Sequence, residues 1–162
     1  MPRDLGDRRA CLATELVGIR WHRYESVDST NLEALRLAEL GAPVGTVVVA
    51  DTQTAGRGRL GRSWADVPGR SLLMSVLLQR PRDGAGLLTA TAALAAAEAV
   101  EALTGLRVGV KWPNDLVAAG RKLGGVLAEG RGALPVAVGI GVNVGETVEE
   151  LPPDLRDRAT SV

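Results

Sequence analysis

The chain has 162 residues and balances 19 Lys and Arg against 19 Asp and Glu, so no global field draws it to a polyanion and any anion site must be local. Phe is absent and the only aromatic residues are Trp21, Tyr24, Trp64 and Trp112. The core must therefore come from Leu, Val and Ala, and base-stacking platforms for single-stranded nucleic acid are scarce. Cys11 and His22 are each the only residue of their type, which excludes an internal disulfide and a zinc site of the usual Cys/His kind. No run of about eighteen apolar residues and no signal-like start stands out, so a soluble cytoplasmic protein with no membrane partner is expected. At this length a single domain burying about two thirds of its unfolded surface is expected.

In chain order, Leu5, Cys11, Leu12, Leu16 and Val17 could line a short N-terminal helix, with a strand following at 20–25. Asp28-Ser-Thr-Asn31 then opens a helix, with Thr30 and Glu33 at capping-box spacing, Leu32, Leu35, Ala38 and Leu40 as its apolar face, and Gly41 and Pro43 as its stop. Strands are predicted at 46–51 and 71–78, and an Ala/Leu-rich helix from about 87 to 103 ends at Gly105. Four short apolar runs follow, at 107–112, 116–119, 122–129 and 134–144, with a tight hairpin at Gly120-Arg121. The order indicates an α+β fold, with a mixed, largely antiparallel sheet and helices mainly on one face.

The run Gly56-Arg-Gly-Arg-Leu-Gly-Arg-Ser-Trp64 carries the most chemistry. Glycine permits positive φ and close ligand approach, while guanidinium offers forked donors to phosphate or carboxylate. By itself the run also fits a solvated loop or an RGG-like nucleic-acid segment, but it stops at Trp64 and lies between two predicted strands. Lys111-Trp-Pro-Asn-Asp115 follows a strand that Pro113 ends. Asn-Asp after Pro is ordinary turn chemistry, yet a cation and a flat apolar ring beside a carboxylate also suit a nucleotide with magnesium. In Arg121-Lys-Leu-Gly-Gly125, Lys122 is either a ligand contact beside glycines or a solvated hairpin lysine. Gly139-Ile-Gly-Val-Asn143 alternates glycine through a strand, which suggests close approach of a ligand. It is not a dinucleotide fingerprint, since neither the GxGxxG spacing nor a following helix is present.

Together these runs resemble the catalytic domain of biotin protein ligases, whose GRGRxGRxW, KWPND, RKhxGhL, DSTN and GhGhN motifs match at 56–64, 111–115, 121–127, 28–31 and 139–143. Related lipoate ligases share the Asn-Asp and Lys-h-x-Gly features but lack the Arg/Gly loop. The resemblance implies activation of biotin by MgATP to biotinoyl-AMP, then transfer to a lysine of the biotin carboxyl carrier protein of a biotin-dependent carboxylase, with no tightly bound cofactor. By motif match, Ser29, Thr30, Asn31, Gln53, Gly56, Arg57, Gly58, Arg59, Lys122 and Gly125 would bind biotin. Arg57, Arg59, Arg62, Trp64, Lys111, Asn114 and Asn143 would bind ATP, Asp115 magnesium, and Lys122, Arg57 and Asp115 would be catalytic.

The resemblance covers about 21–162 as a catalytic domain, after an N-terminal extension at 1–20 that is too short for a winged helix-turn-helix, so DNA binding is not expected. At the other end the family normally continues into a small SH3-like domain. A weakly active or inactive module that binds biotin or biotinoyl-AMP, and a lipoate-type ligase, are the alternatives, and the resemblance leaves room for a homodimer.

Overall fold

The β-branched run after Pro43 and the leucine-rich run after Arg70 pair antiparallel near the middle of an eight-stranded sheet. The computed structural model describes residues 3–4, 14, 16–18, 20–81, 85–147 and 149–162. Its strands are β1 (Arg3–Asp4), β2 (Arg20–Val27), β3 (Thr46–Gln53), β4 (Ser71–Leu78), β5 (Gly109–Lys111), β6 (Asp115–Ala118), β7 (Arg121–Gly130) and β8 (Val136–Asn143). The helices are α1 (Thr30–Glu39) and α2 (Ala85–Thr104). The sheet order is β1-β2-β3-β4-β8-β7-β6-β5, antiparallel throughout except for β2 beside β3. The mixed, largely antiparallel sheet and the closing meander are as expected. Of the residues assigned to an N-terminal helix, Leu5, Cys11 and Leu12 lie outside the described residues, while Leu16 and Val17 lie in a bend and turn.

The helices divide between the two faces instead of sharing one. Side chains alternate along a strand. Ala137 of β8, with Leu77 and Val48, packs against Ala34, Leu35 and Ala38 of α1. Val136, Val138 and Val142 pack instead with Ala93 and Ala97 of α2. A strand without polar alternation is one covered on both sides, and β8 is such a strand. Each fully buried Leu or Val in these clusters contributes about 1.5–3 kcal/mol. By length and composition Gly86–Thr104 is apolar enough to cross a membrane, at a mean hydropathy of 1.4; in the fold its alanine stripe packs on the sheet.

Local chemistry shifts two other boundaries. The capping box does not form: Ser29 is the N-cap and makes no side-chain cap bond. Glu33 is otherwise engaged, accepting from the Tyr24 hydroxyl and from Arg36 Nε at 2.8 Å. Burial first, and the Glu33 bond second, push the Tyr24 phenol up to about 12. α1 stops at Gly41, whose φ of +86° allows Gly41 N to donate to Ala38 O and Ala42 N to Leu37 O, a Schellman termination. The β6–β7 turn is Ala119-Gly120, both at positive φ, one residue earlier than expected and of the kind that matches hairpin twist.

After β8 the chain folds back, and Glu146 is buried there. Its Oε1 accepts from Ser71 Oγ at 2.6 Å, while Oε2 has no hydrogen-bond partner among the described residues. Burial pushes its carboxyl above the ordinary value of 4.5, so the folded state holds the proton more tightly than the unfolded one. The stability this confers is present in full below pH 4.5 and is lost as pH rises through the raised folded value. Glu146→Gln should therefore unfold at a higher urea midpoint than the parent at pH 7. The difference should close below pH 4.5, and urea melts across pH check both statements.

Candidate functional site

The site lies on the α1 face of the sheet because β8 is bare there. A Cβ on Gly139 would sit 2.5 Å from Asn31 Oδ1, and one on Gly141 would sit 2.8 Å from Trp64 Cζ2. These two missing side chains let the first turn of α1 and the indole of Trp64 settle on the strand. Between them opens a cleft of about 300 Å³ with Leu73, Val126, Leu127 and Ile140 among its apolar lining, at the lower end of small-molecule site volumes.

The glycine-arginine run roofs this cleft as a small hairpin. Trp64 N donates to Gly56 O at 2.9 Å, Arg57 pairs with Ser63, and Gly58 N donates to Arg62 O at 2.7 Å. Gly56 is needed at the base, since a Cβ there would lie 2.5 Å from Trp64 O. The tip turns through Leu60, which is left-handed at φ 57°, ψ 36° and fully exposed. Arg59 crosses the cleft and donates to Asn114 Oδ1 at 2.9 Å.

One irregularity brings two opposite charges together on the cleft side. In the β6–β7 ladder Leu116 faces Gly124 and Val117 faces Lys122, so Leu123 is left unpaired as a bulge. Lys122 and Gly125 are three residues apart and would point to opposite faces of a regular strand. The bulge puts both on the cleft side while Leu123 joins the α2 core. Lys122 Nζ thereby reaches Asp115 Oδ1 at 2.8 Å and stands 5.8 Å from the centre of the Trp64 ring, within cation–π range. Its peptide is braced as well: Lys122 N donates to Arg158 O and Thr160 N to Lys122 O, both at 2.8 Å.

At the opposite wall, Thr30 N donates to Gln53 Oε1 at 2.8 Å. A backbone amide can only donate, so this bond fixes the Gln53 amide and turns its Nε2 toward Gly56. Asn31 makes three bonds within the protein: its Nδ2 donates to Leu127 O and Glu129 Oε2, and its Oδ1 accepts from Ser75 Oγ.

Of the sixteen residues expected at a site, fourteen line the cleft: Ser29, Thr30, Asn31, Gln53, Arg57, Gly58, Arg59, Arg62, Trp64, Lys111, Asn114, Asp115, Lys122 and Gly125. Gly56 acts at the hairpin base instead. Asn143 is buried, is not among the lining residues, and its Nδ2 donates to Thr160 O of the C-terminal segment at 2.9 Å. Sequence reasoning did not assign Leu127, Glu129 or the rim residues Leu60 and Trp112. Strand alternation from Gly125 would have found Leu127 and Glu129.

The lining carries Arg57, Arg59, Arg62, Lys111 and Lys122 against one carboxylate, Asp115. In a chain of zero net charge this is a local anion receptor. Among the described residues no group of three His, Cys, Asp or Glu gathers. A single carboxylate suits magnesium that arrives on a polyphosphate and keeps most of its other ligands from phosphate and water.

Sequence comparison shows the family to which this sheet, glycine floor and cationic hairpin belong. Residues 24–144 match the Biotin/lipoate A/B protein ligase family, and the chain belongs to that family. It is 39% identical over 157 residues to the bifunctional ligase/repressor BirA of Bacillus spizizenii, covering 93% of this chain and 48% of that one. With the biotin–[acetyl-CoA-carboxylase] ligase of Mycobacterium tuberculosis the identity is 40% over 148 residues, covering 85% and 55%. The biotin protein ligase of Aquifex aeolicus in complex with biotin and ATP superposes with a TM-score of 0.76 at 38% identity, over 87% of this chain and 58% of that one. The chain thus spans about half the length of these relatives.

The two adjacent glycines of β7 should separate stability from binding. A Cβ on Gly124 would lie 2.5 Å from Gly141 O, whereas one on Gly125 meets nothing closer than 3.5 Å and projects beside Lys122 and Asp115. Gly124→Ala should cost about 1–3 kcal/mol in urea unfolding, while Gly125→Ala should stay within about 0.5 kcal/mol of the parent and weaken ligand binding.

Proposed function

We propose that this chain is the catalytic core of a biotin protein ligase, activating biotin with MgATP and transferring it to a lysine of a biotin carboxyl carrier protein in the cytoplasm. The observation that carries the reading is the cluster of five cations and one carboxylate around a glycine-floored cleft. It is supported by similarity to an Aquifex aeolicus ligase described as a complex with biotin and ATP.

Such a cleft answers the chemistry. In the first step a carboxylate oxygen of biotin attacks the α-phosphorus of ATP, a P–O bond forms, and pyrophosphate leaves with its electron pair. Both reactants are anions, and fixed cations in a water-poor site offset their repulsion and the charge that develops at phosphorus. Lys122, a lining residue whose ammonium pairs with Asp115 at 2.8 Å, takes this role in the proposal. Arg57 and Arg59, with the backbone at Gly56 and Gly58, cover the acyl-adenylate. Arg62, Lys111 and Asn114 would meet the nucleotide, Asp115 would hold magnesium brought by the polyphosphate, and Trp64 would pack on the adenylate. Gln53, Ser29 and Thr30 offer both donors and acceptors to the ureido ring, and Gly125 gives the ligand room beside Lys122. In the second step the carrier lysine amine attacks the acyl carbon and AMP departs. The hairpin keeps water away until then.

Incubation with MgATP, biotin and an acceptor carrier domain should yield a biotinylated lysine on the acceptor. Retained biotin binding with no transfer would replace the enzyme with a binding module, and preference for lipoate would move it to the lipoate branch. Lys122→Ala should lower biotin-dependent pyrophosphate release by at least about a hundredfold with the thermal midpoint preserved. Undiminished release would refute the role of Lys122.

A further inference from the structure

Ser75 of β4 is completely buried and does not line the cleft, yet its hydroxyl touches two residues that do, Thr30 and Asn31. Three oxygen–oxygen contacts run in series there. Asn31 Oδ1 to Ser75 Oγ is 2.7 Å, Ser75 Oγ to Thr30 Oγ1 is 2.8 Å, and Thr30 Oγ1 to Gln53 Oε1 is 3.1 Å. The two ends are amide oxygens, which only accept. Asn31 is oriented by the donation of its Nδ2 to Leu127 O and Glu129 Oε2, and Gln53 by the donation from Thr30 N. Two hydroxyl protons, those of Ser75 and Thr30, therefore serve three contacts, and one contact goes without. Two oxygens with no proton between them repel, so the proton is missing from the longest contact. Ser75 donates to Asn31, Thr30 donates to Ser75, and the 3.1 Å contact between Thr30 and Gln53 holds no proton.

We infer that Ser75 is a specificity-determining positioning residue: by drawing the Thr30 proton away from the cleft, it leaves Thr30 Oγ1 and Gln53 Oε1 as a pair of acceptors that select a ligand N–H. Both members of the pair belong to lining residues. A ligand that brings a donor between them supplies the missing proton and removes the repulsion of the two oxygens. A ligand that brings an ether or carbonyl oxygen adds a third acceptor where none can be satisfied. The wall thus favours a cyclic urea or amide over an oxygen isostere of the same shape. Biotin as the ligand is taken from the proposed function, a ureido N–H being that donor, whereas the order of protons belongs to the free chain.

Ser75→Ala removes the acceptor of the Thr30 proton, which then turns to Gln53 Oε1 and closes the acceptor pair. In biotin-dependent pyrophosphate release this variant should show a KM for biotin raised by about tenfold, the effect of one neutral hydrogen bond, with kcat and the KM for ATP at parent values. Two cyclic carbamate analogues of biotin, each with one ureido N–H replaced by oxygen, give a readout that a merely structural role would not move. With the parent chain, the analogue lacking the selected N–H should have a KM about a hundredfold above that of biotin. In Ser75→Ala the ratio should fall to about tenfold. An unchanged KM for biotin, or a rise shared equally by biotin and both analogues, would overturn the role of Ser75. Neutron diffraction from deuterium-exchanged crystals of the ligand-free parent reads the order of protons without any variant. Deuterium should lie between Ser75 Oγ and Asn31 Oδ1 and between Thr30 Oγ1 and Ser75 Oγ; deuterium on the line from Thr30 to Gln53 would sink the assignment. If the parent chain neither binds nor activates biotin, the proposed function fails while the neutron map still decides the order of protons.

Discussion

Two absent side chains on β8 set the spacing of the whole active face. Gly139 and Gly141 let Asn31 and Trp64 approach to distances that a methyl group would forbid. With any larger residue there, α1 would lift at its first turn and Thr30 would lose Gln53. The indole would rise as well, taking with it the hairpin limb that ends at Trp64. The floor is therefore apolar and featureless by necessity, and all the polar recognition has to come from the rim. That division suits a ligand with an apolar body and a polar group at each end.

The rim holds its charges in a prepared state. Lys122 rests on Asp115, Arg59 on Asn114 and Arg57 on Glu129. Gathering five cations around one cavity costs repulsion in any medium of reduced polarity, and these partners offset part of it while fixing rotamers. Each partner is one the cation can leave, because the pairs are partly exposed. In the proposed reaction an arriving carboxylate or phosphate would take over a cation that is already aimed, leaving less reorganisation to the moment of reaction.

Much of this was legible in the sequence, and the exceptions share a cause. The strands at 46–53 and 71–78, the long alanine helix and the closing meander follow from apolar runs bounded by turn residues. The motifs located fourteen of the cleft residues because their chemistry is carried by residue type. What escaped notice depends on which way side chains point. The bulge at Leu123 changes facing by a single residue, and no residue type marks it. The split of the helices between faces was readable only from β8 being apolar at consecutive positions, which also fits a strand buried on one side and tolerated on the other. The capping box failed at Thr30 and Glu33 because tertiary partners, Gln53 for one and Tyr24 for the other, outbid the local motif.

The hairpin shows where freedom remains in a site so closely held. Its base is fixed by the Gly56–Trp64 bond, the Arg57–Ser63 bridge and the contact to Glu129. Its tip carries a leucine in the left-handed region, a conformation that costs about 1–2 kcal/mol for a residue with a Cβ, and that residue is 86% exposed. Strain and exposure are thus both concentrated in the three residues between Gly58 and Arg62. The base, where the indole of Trp64 rests on Gly141, is thus the more firmly held part of the roof over the cleft.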